Sequence, residues 1–562
     1  MGRYRHGLTA LRPRALAQSG WALLALAVVP LAFLALFFAL PLGGMLARGF
    51  HADGVWDLSG VGEVLGRSRT ARALSFTVVM AAAGTVLTLA LGMPLAYVLY
   101  RLRFPGRGLL RAVVVMPFVL PTVVVGVMFR SLLSTGGPLG FLGLDRHWSA
   151  ILMAYVFFNL AVVVRTVGST WDGMDRRAED SAAALGATPW QVWRTITLPA
   201  LTPAVISAGT LVFLFCATAF GVVLTLGGLR YGTIETEIYL LTTQFLDLRA
   251  AAVLSVLQLV AVVLMLALAS RARTRREQAL RRGSPGSGAR HPRRGDGPVL
   301  GLAALAVGFV LLPVGALVGR SLRDDGSWTL RYYRLLLDPD AGSDLRVSVG
   351  AALNISLRTA VDATVLAVAL GLIVSVLVSR RPRSRRGRRL VAGLDAVFML
   401  PLGISAVTIG FGFLITLDRP PLDLRSSAVL VPIAQALVAL PLVVRTLTPV
   451  LRGIDPRLRE AAATLGAGPL RSAWTVEAPV VLRPVLAAAG FAFAVSLGEF
   501  GATSFISRPD RPTVPVLIFD LIGRPGADNL GMALAASVVL SLVTVTVMGL
   551  VERLRVVGVG AW

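Results

Sequence analysis

Asp180-Ser-Ala-Ala-Ala-Leu-Gly186, then nine residues, then Ile196-Thr-Leu198-Pro199: this stretch recurs as Glu460-Ala-Ala-Ala-Thr-Leu-Gly466, nine residues, and Val476-Glu-Ala-Pro479, each piece 280 positions further along. The Ala-rich run before each glycine favours a short helix and is too polar to cross lipid. Gly186 and Gly466 stand where a helix ends on a left-handed residue, a conformation glycine adopts without steric cost. Pro189 and Pro469 suit the first turn of a second short helix, which Thr188 can cap in the first copy. Pro199 and Pro479 mark the start of the next apolar run. The spacing therefore predicts helix, tight turn, helix and then a long apolar helix, twice over.

The surrounding chain has 562 residues, 55% of them hydrophobic and 15% charged, which excludes an ordinary soluble globular protein. Runs long enough to cross a bilayer core are expected at 20–46, 73–100, 110–134, 148–169, 200–226, 249–270, 298–320, 353–379, 390–416, 427–449, 480–505 and 528–551. Pro and Gly interrupt 110–134 and 390–416, as membrane helices tolerate when neighbours satisfy the freed backbone groups. The expected fold is all-α and integral to the membrane, with about twelve transmembrane helices in two parallel six-helix repeats.

All 55 basic side chains other than histidine are Arg. A Walker A phosphate loop needs Lys, so the chain carries no such ATPase. The net charge of +25 does not point to nucleic acid, because the arginines cluster between alternate spans. Arg3, Arg5, Arg12 and Arg14 precede the first; Arg101, Arg103, Arg107 and Arg111 follow the second; Arg380, Arg381, Arg383, Arg385, Arg386, Arg388 and Arg389 follow the eighth. The positive-inside rule places those loops and both termini in the cytoplasm. The first apolar run is too long for a signal peptide and reads as a retained anchor. Cys216, the one cysteine, lies in an apolar run and reads as core.

Residues 271–297 hold nine Arg with Ser, Gly and Pro, a basic cytoplasmic linker. The expected division is 1–69 (N-terminal cytoplasmic segment, first transmembrane helix and external loop), 70–270 (first repeat), 271–297 (linker), 298–349 (accessory helix and external loop), 350–550 (second repeat) and 551–562 (cytoplasmic tail). Residue matches support the repeat. Thr85-Val-Leu-x-x-Ala-Leu-Gly92 returns as Thr364-Val-Leu-x-x-Ala-Leu-Gly371, Val163-Val-Arg165-Thr166 as Val443-Val-Arg445-Thr446, and Phe220-Gly221 as Phe500-Gly501.

The paired stretch resembles the EAA-x3-G-x9-I-x-L-P loop of ABC-importer permeases, and nearly the whole chain is similar to fused bacterial permeases of the ferric-iron and thiamine importer group. Cys216–Val260 and Tyr155-Val-Phe-Phe-Asn159-Leu have the character of thiamine permeases. The resemblance implies that Asp180, Ala182, Gly186 and Pro199, with Glu460, Ala461, Ala462, Gly466 and Pro479, belong to loops that couple the chain to a separate ATPase. The first copy departs from the pattern at Asp180-Ser181, the second at Ala478. Implied partners are two ABC ATPase subunits, as a homodimer, an extracytoplasmic substrate-binding protein and the lipid bilayer of a bacterial plasma membrane. ATP is used by the partner subunits; this chain is expected to bind no cofactor or metal and to hold no catalytic residue. The cargo implied is thiamine or ferric iron.

Ionisable groups inside membrane helices invite a functional reading. Glu499 is the first candidate for the translocation path, where a cationic cargo suits a carboxylate; a hydrogen bond to Arg or backbone is the structural alternative. Asn159 and Gln435, in equivalent spans, can line the path or join helices. Glu235 and Glu237 are expected in an external loop that receives the binding protein or is simply solvated. A secondary transporter of the major facilitator type also has two parallel halves, but Arg101-Leu-Arg-Phe-Pro-Gly-Arg107 lacks the acidic Gly-rich motif of that class. A membrane enzyme is disfavoured because His6, His51, His147 and His291 show no ligand spacing.

Overall fold

The computed structural model describes residues 26–52, 55–228, 230–274, 289–337, 347–379, 384–418, 420 and 422–554. Arg3, Arg5, Arg12 and Arg14, the loop residues Arg380, Arg381 and Arg383, linker positions 275–288 and the tail from 555 lie outside the described residues.

Lipid offers backbone groups no partner, so long apolar runs satisfy themselves as helices. The first half holds α1 (Leu26–Phe50), α2 (Ser68–Arg101), α3 (Arg107–Val115), α4 (Thr122–Leu133), α5 (Trp148–Asp172), α6 (Arg177–Ala184), α7 (Pro189–Val192), α8 (Leu198–Ala217), α9 (Gly221–Gly227), α10 (Ile234–Thr243) and α11 (Leu248–Thr274). The second half holds α12 (Gly297–Ser321), α13 (Val349–Ser379), α14 (Arg385–Met399), α15 (Ala406–Thr416), α16 (Leu430–Gly453), α17 (Pro456–Thr464), α18 (Pro469–Ser472), α19 (Ala478–Leu497), α20 (Thr503–Ile506), α21 (Val514–Gly523) and α22 (Ala527–Leu554). A two-residue antiparallel ribbon follows each of α1 and α12, with His51 opposite Trp56 and Arg323 opposite Trp328.

Among the described residues, ten helices are long and apolar enough to cross a membrane. That is two fewer than expected, and the two runs interrupted by Pro and Gly account for the difference. In the first, the helices Arg107–Val119 and Thr122–Leu133 meet at 106°. Pro121 forces Leu120 into extended backbone, with ψ 141°. In the second, Ile404 is extended (ψ 138°) and Ser405 caps a fresh helix by accepting from the Val407 N–H at 3.0 Å. Two other expected spans end early, at Ala217 and Leu497, before short breaks that recur at equivalent positions.

Within each half the second long helix packs on the third through a small residue. A Cβ on Gly92 would lie 2.6 Å from Val163 Cγ1, and one on Gly371 would lie 2.6 Å from Val443 Cγ1. Only glycine permits these matching contacts between α2 and α5 and between α13 and α16.

The accessory helices cross over. α1 packs on α11 of its own half but also on α15 of the second, where Phe37 meets Phe413 at 6.2 Å. In return α12 packs on α2 and α4 of the first half, where Phe309 meets Phe129 at 6.2 Å. Arg320 at the end of α12 donates to the Ser131 carbonyl and to Ser134 Oγ, both at 2.7 Å. Arg290, where the described chain resumes, is strapped to α2. Its guanidinium pairs with Asp296 (2.7 Å) and donates to the Tyr97 hydroxyl (2.9 Å), while its backbone N–H donates to the Arg101 carbonyl at 2.9 Å.

Candidate functional site

The duplicated stretches fold alike. α6 ends at Gly186, whose φ is +87°, and α17 ends at Gly466, whose φ is +82°. In the first copy the Ala187 N–H reaches back to the Ala182 carbonyl (3.1 Å) and the Gly186 N–H to Ala183 (3.0 Å). In the second, Ala467 reaches Ala462 and Gly466 reaches Ala463, both at 3.0 Å. These are paired Schellman turns, which close a helix on a left-handed residue. At the front, Asp175 and Asp455 each accept from a backbone N–H two residues on, at 3.0 Å. Thr188 then caps α7 in a reciprocal box with Gln191.

One expectation changes. Pro199 and Pro479 do not start a separate helix; each sits second in α8 or α19, directly after a π turn, Trp193–Thr197 or Ala473–Glu477. Proline lacks an N–H and crowds the carbonyl four residues back, and the wider turn accommodates it. The short second helix and the first-half membrane helix therefore form one rod, Pro189–Ala217.

The tips are apolar and open: Leu185 is 89% exposed and Leu465 is 88% exposed. Asp180, Pro199, Glu460, Ala461 and Pro479 are also exposed, while Ala182 and Ala462 are half-buried beneath the turns. Among the described residues Asp180 reaches only Arg176, at 3.6 Å. Its neighbour Glu179, which the motif reading passes over, is the fastened acid. Glu179 accepts from Arg101 at 2.7 Å and from Thr197 Oγ1 at 2.8 Å, tying the end of α2 to the loop and to the base of α8. The equivalent second-half positions are Arg459 and Glu477.

The other cluster lies where the halves meet. Phe220 and Phe500, equivalent in the repeat, stack at 5.4 Å with their rings 18° apart. Tyr239 packs on Phe220 at 5.3 Å, and its repeat partner Phe519 packs on Phe500 at 5.4 Å. The four rings form a symmetric ladder across the seam, beside the helix breaks after Ala217 and Leu497. Non-helical backbone at membrane depth is tolerated where it is buried in protein or lines a cavity.

Glu499 is buried next to the ladder, and its carboxylate accepts from the Ala502 N–H (2.7 Å) and the Thr503 N–H (3.0 Å). It holds the backbone of the second break. Asn159 donates to the Tyr155 carbonyl at 2.9 Å and contacts Cys216 Sγ at 3.4 Å. Gln435 aligns with Tyr155 in the repeat, not with Asn159. Asn159 Oδ1, Gln435 Oε1 and the Tyr155 hydroxyl are buried with no hydrogen-bond partner among the described residues.

Glu235 and Glu237 do not lie in a solvated loop. Both are buried on α10, at 0% and 4% exposure. Arg69 neutralises Glu237 at 2.7 Å, whereas Glu235 accepts from Gln258 Nε2 and, at 2.6 Å, from Ser405 Oγ across the seam.

The family model described as "Binding-protein-dependent transport system inner membrane component" matches residues 89–274 and again 346–555. The chain is 29% identical to the thiamine transport system permease protein ThiP of Escherichia coli (strain K12), over 76% of this chain and 79% of that protein. It is 28% identical to ThiP of Brucella abortus (strain 2308), over 83% and 85%. It is 26% identical to the probable ABC transporter permease protein y4fN of Sinorhizobium fredii (strain NBRC 101917 / NGR234), over 95% of both. A solved bacterial ABC transporter involved in the import of the acidic polysaccharide alginate aligns with 46% of this chain and 98% of its own, with a TM-score of 0.41 and 18% identity. The chain belongs to the binding-protein-dependent transport system inner membrane component family, as a multi-pass, fused permease of the type I ABC importer class carrying the family unit twice.

Proposed function

We propose that this chain forms the translocation path of an ATP-driven thiamine importer and takes its power stroke through the two loops. In this reading Leu185 and Leu465 seat the loops in two separate ATPase subunits on the cytoplasmic side. Both termini lie on that side, and a substrate-binding protein docks opposite. The chain itself hydrolyses no ATP.

The observation that carries the reading is the pair of rigid turns with exposed leucine tips, each directly joined to a membrane helix. An apolar side chain held open on a stiff turn is suited to a partner's pocket. In the first half the rod passes a push on the loop straight to Ala217, next to the seam. Thiamine as cargo is supported by the named relatives, and in this reading the unpartnered oxygens of Asn159 and Gln435 meet a polar solute, while Glu499 shapes the second helix break.

The test is reconstitution of the chain with its cognate ATPase and binding protein in proteoliposomes. Labelled thiamine is expected to accumulate only with ATP. Accumulation of ferric iron but not thiamine would overturn the cargo, and thiamine uptake on an ion gradient without the ATPase would overturn the mechanism.

A further inference from the structure

Three buried carboxylates lie near the seam, and the structure accounts for two. Glu237 is neutralised by Arg69, and Glu499 is taken up by two backbone N–H groups. Glu235 is fully buried with two neutral donors, Gln258 Nε2 and Ser405 Oγ, and no Arg or His pairs with it among the described residues. An ionised carboxylate in such surroundings lacks the counter-charge that low dielectric demands.

Its neighbours suggest what supplies that charge. Tyr239 is one helical turn along the same face of α10 and ends the ring ladder. Gln258 keeps its Oε1 buried and unpartnered, and so does the Tyr155 hydroxyl, which lies within electrostatic reach of Glu235. A carboxylate one helical turn from an aromatic ring, with unsatisfied acceptors nearby, is the chemistry that receives an organic cation. The arrangement is one-sided: the repeat places Pro515 and Val538 where Glu235 and Gln258 stand. One charge is therefore available, which fits a singly charged solute.

We propose that Glu235, Gln258 and Ser405, with Tyr239 one turn along at the end of the ring ladder, form a recognition site for an organic cation passing between the halves. This rests on the reading that the seam is the solute's path. The Ser405 hydrogen bond seals the site in this conformation, because Ser405 belongs to the second half and Glu235 to the first. Rocking the halves apart breaks that bond and leaves the carboxylate for the solute.

The experiment uses the complete complex with its ATPase and binding protein. Glu235→Gln keeps the shape and removes the charge, and Glu235→Asp keeps the charge and shortens the reach. Thiamine uptake per assembled complex is expected to fall about tenfold or more for Glu235→Gln, with Glu235→Asp between it and wild type. Uptake by Glu235→Gln at the wild-type rate would overturn the site. A second arm needs no variant: the wild-type complex is treated with a hydrophobic carbodiimide in nucleotide-free and vanadate-trapped states, and the Glu235 peptide is read by mass spectrometry. Labelling is expected to rise in one state and to be suppressed by thiamine or tetramethylammonium chloride but not by sodium chloride at equal ionic strength. No labelling in either state, or labelling indifferent to organic cations, would overturn the site. A wild-type complex that moves no thiamine removes the thiamine reading alone, since tetramethylammonium protection still decides the site.

Discussion

The two loops share one backbone and differ in the residues at the point where the first is fastened. Both close on a left-handed glycine, both carry a bare leucine and both run through a π turn into a membrane helix. Yet the first is held to α2 by Glu179, bridging Arg101 and Thr197, where the second has Arg459 and Glu477. The backbone shape of the loop is kept in duplicate, while the residue types at the Glu179 and Thr197 positions are not. The turn and its tie to α2 are thus separable features of one short segment.

Six substitutions probe that separation. The largest expected effect is at Glu179→Gln, which leaves the Arg101 side chain, 5% exposed, without its counter-charge. Removing one member of a buried pair costs about 3–5 kcal/mol; the partial exposure of Glu179 brings the expectation to about 2–3 kcal/mol. Thermal unfolding of the purified permease measures it, and a double-mutant cycle with Arg101→Ala assigns it to the pair. Next come Gly186→Val and Gly466→Val. With open space around both Cβ positions, the cost is the left-handed backbone alone, about 1–2 kcal/mol. Loss of ATP-driven uptake in both variants supports equivalent turns, and loss in one only would break the comparison. Leu185→Ala and Leu465→Ala should leave unfolding unchanged while weakening ATPase capture by about 1 kcal/mol each, measured by binding of the purified ATPase. The smallest effect is at Asp180→Asn. That carboxylate is exposed and 3.6 Å from Arg176, so a stability change below about 0.5 kcal/mol is expected. A larger change there than at Glu179 would reverse the assignment of which acid anchors the loop.

What the sequence discloses follows the range of the interaction. Gly186, Gly466 and Thr188 act within a few residues, so their turns and caps are legible from spacing. Glu179 is not, because Arg101 is 78 residues away and the motif draws attention to Asp180. One of the two lost spans follows from Pro121, whose effect on Leu120 is local, but the 106° angle it produces depends on what the two pieces pack against. Glu235 and Glu237 read as a solvated loop because charge ordinarily means water. Their partners Ser405 and Arg69 stand 170 and 168 residues away and turn a hydrophilic stretch into interior. The Phe220 and Phe500 repeat is visible in the chain, whereas the stacking of equivalent residues on each other appears only when the halves are assembled.

The crossing of α1 and α12 bears on what keeps this molecule whole. Each half lends an arm that the other grips, Phe37 against Phe413 in one direction and Arg320 against Ser131 in the other. Two such clasps make the connecting peptide a means of delivering both partners in equal number rather than the bond that unites them. Severed within 275–288 after synthesis, the fragments would remain handcuffed, and prying them apart would mean stripping a whole helix from each opposite face.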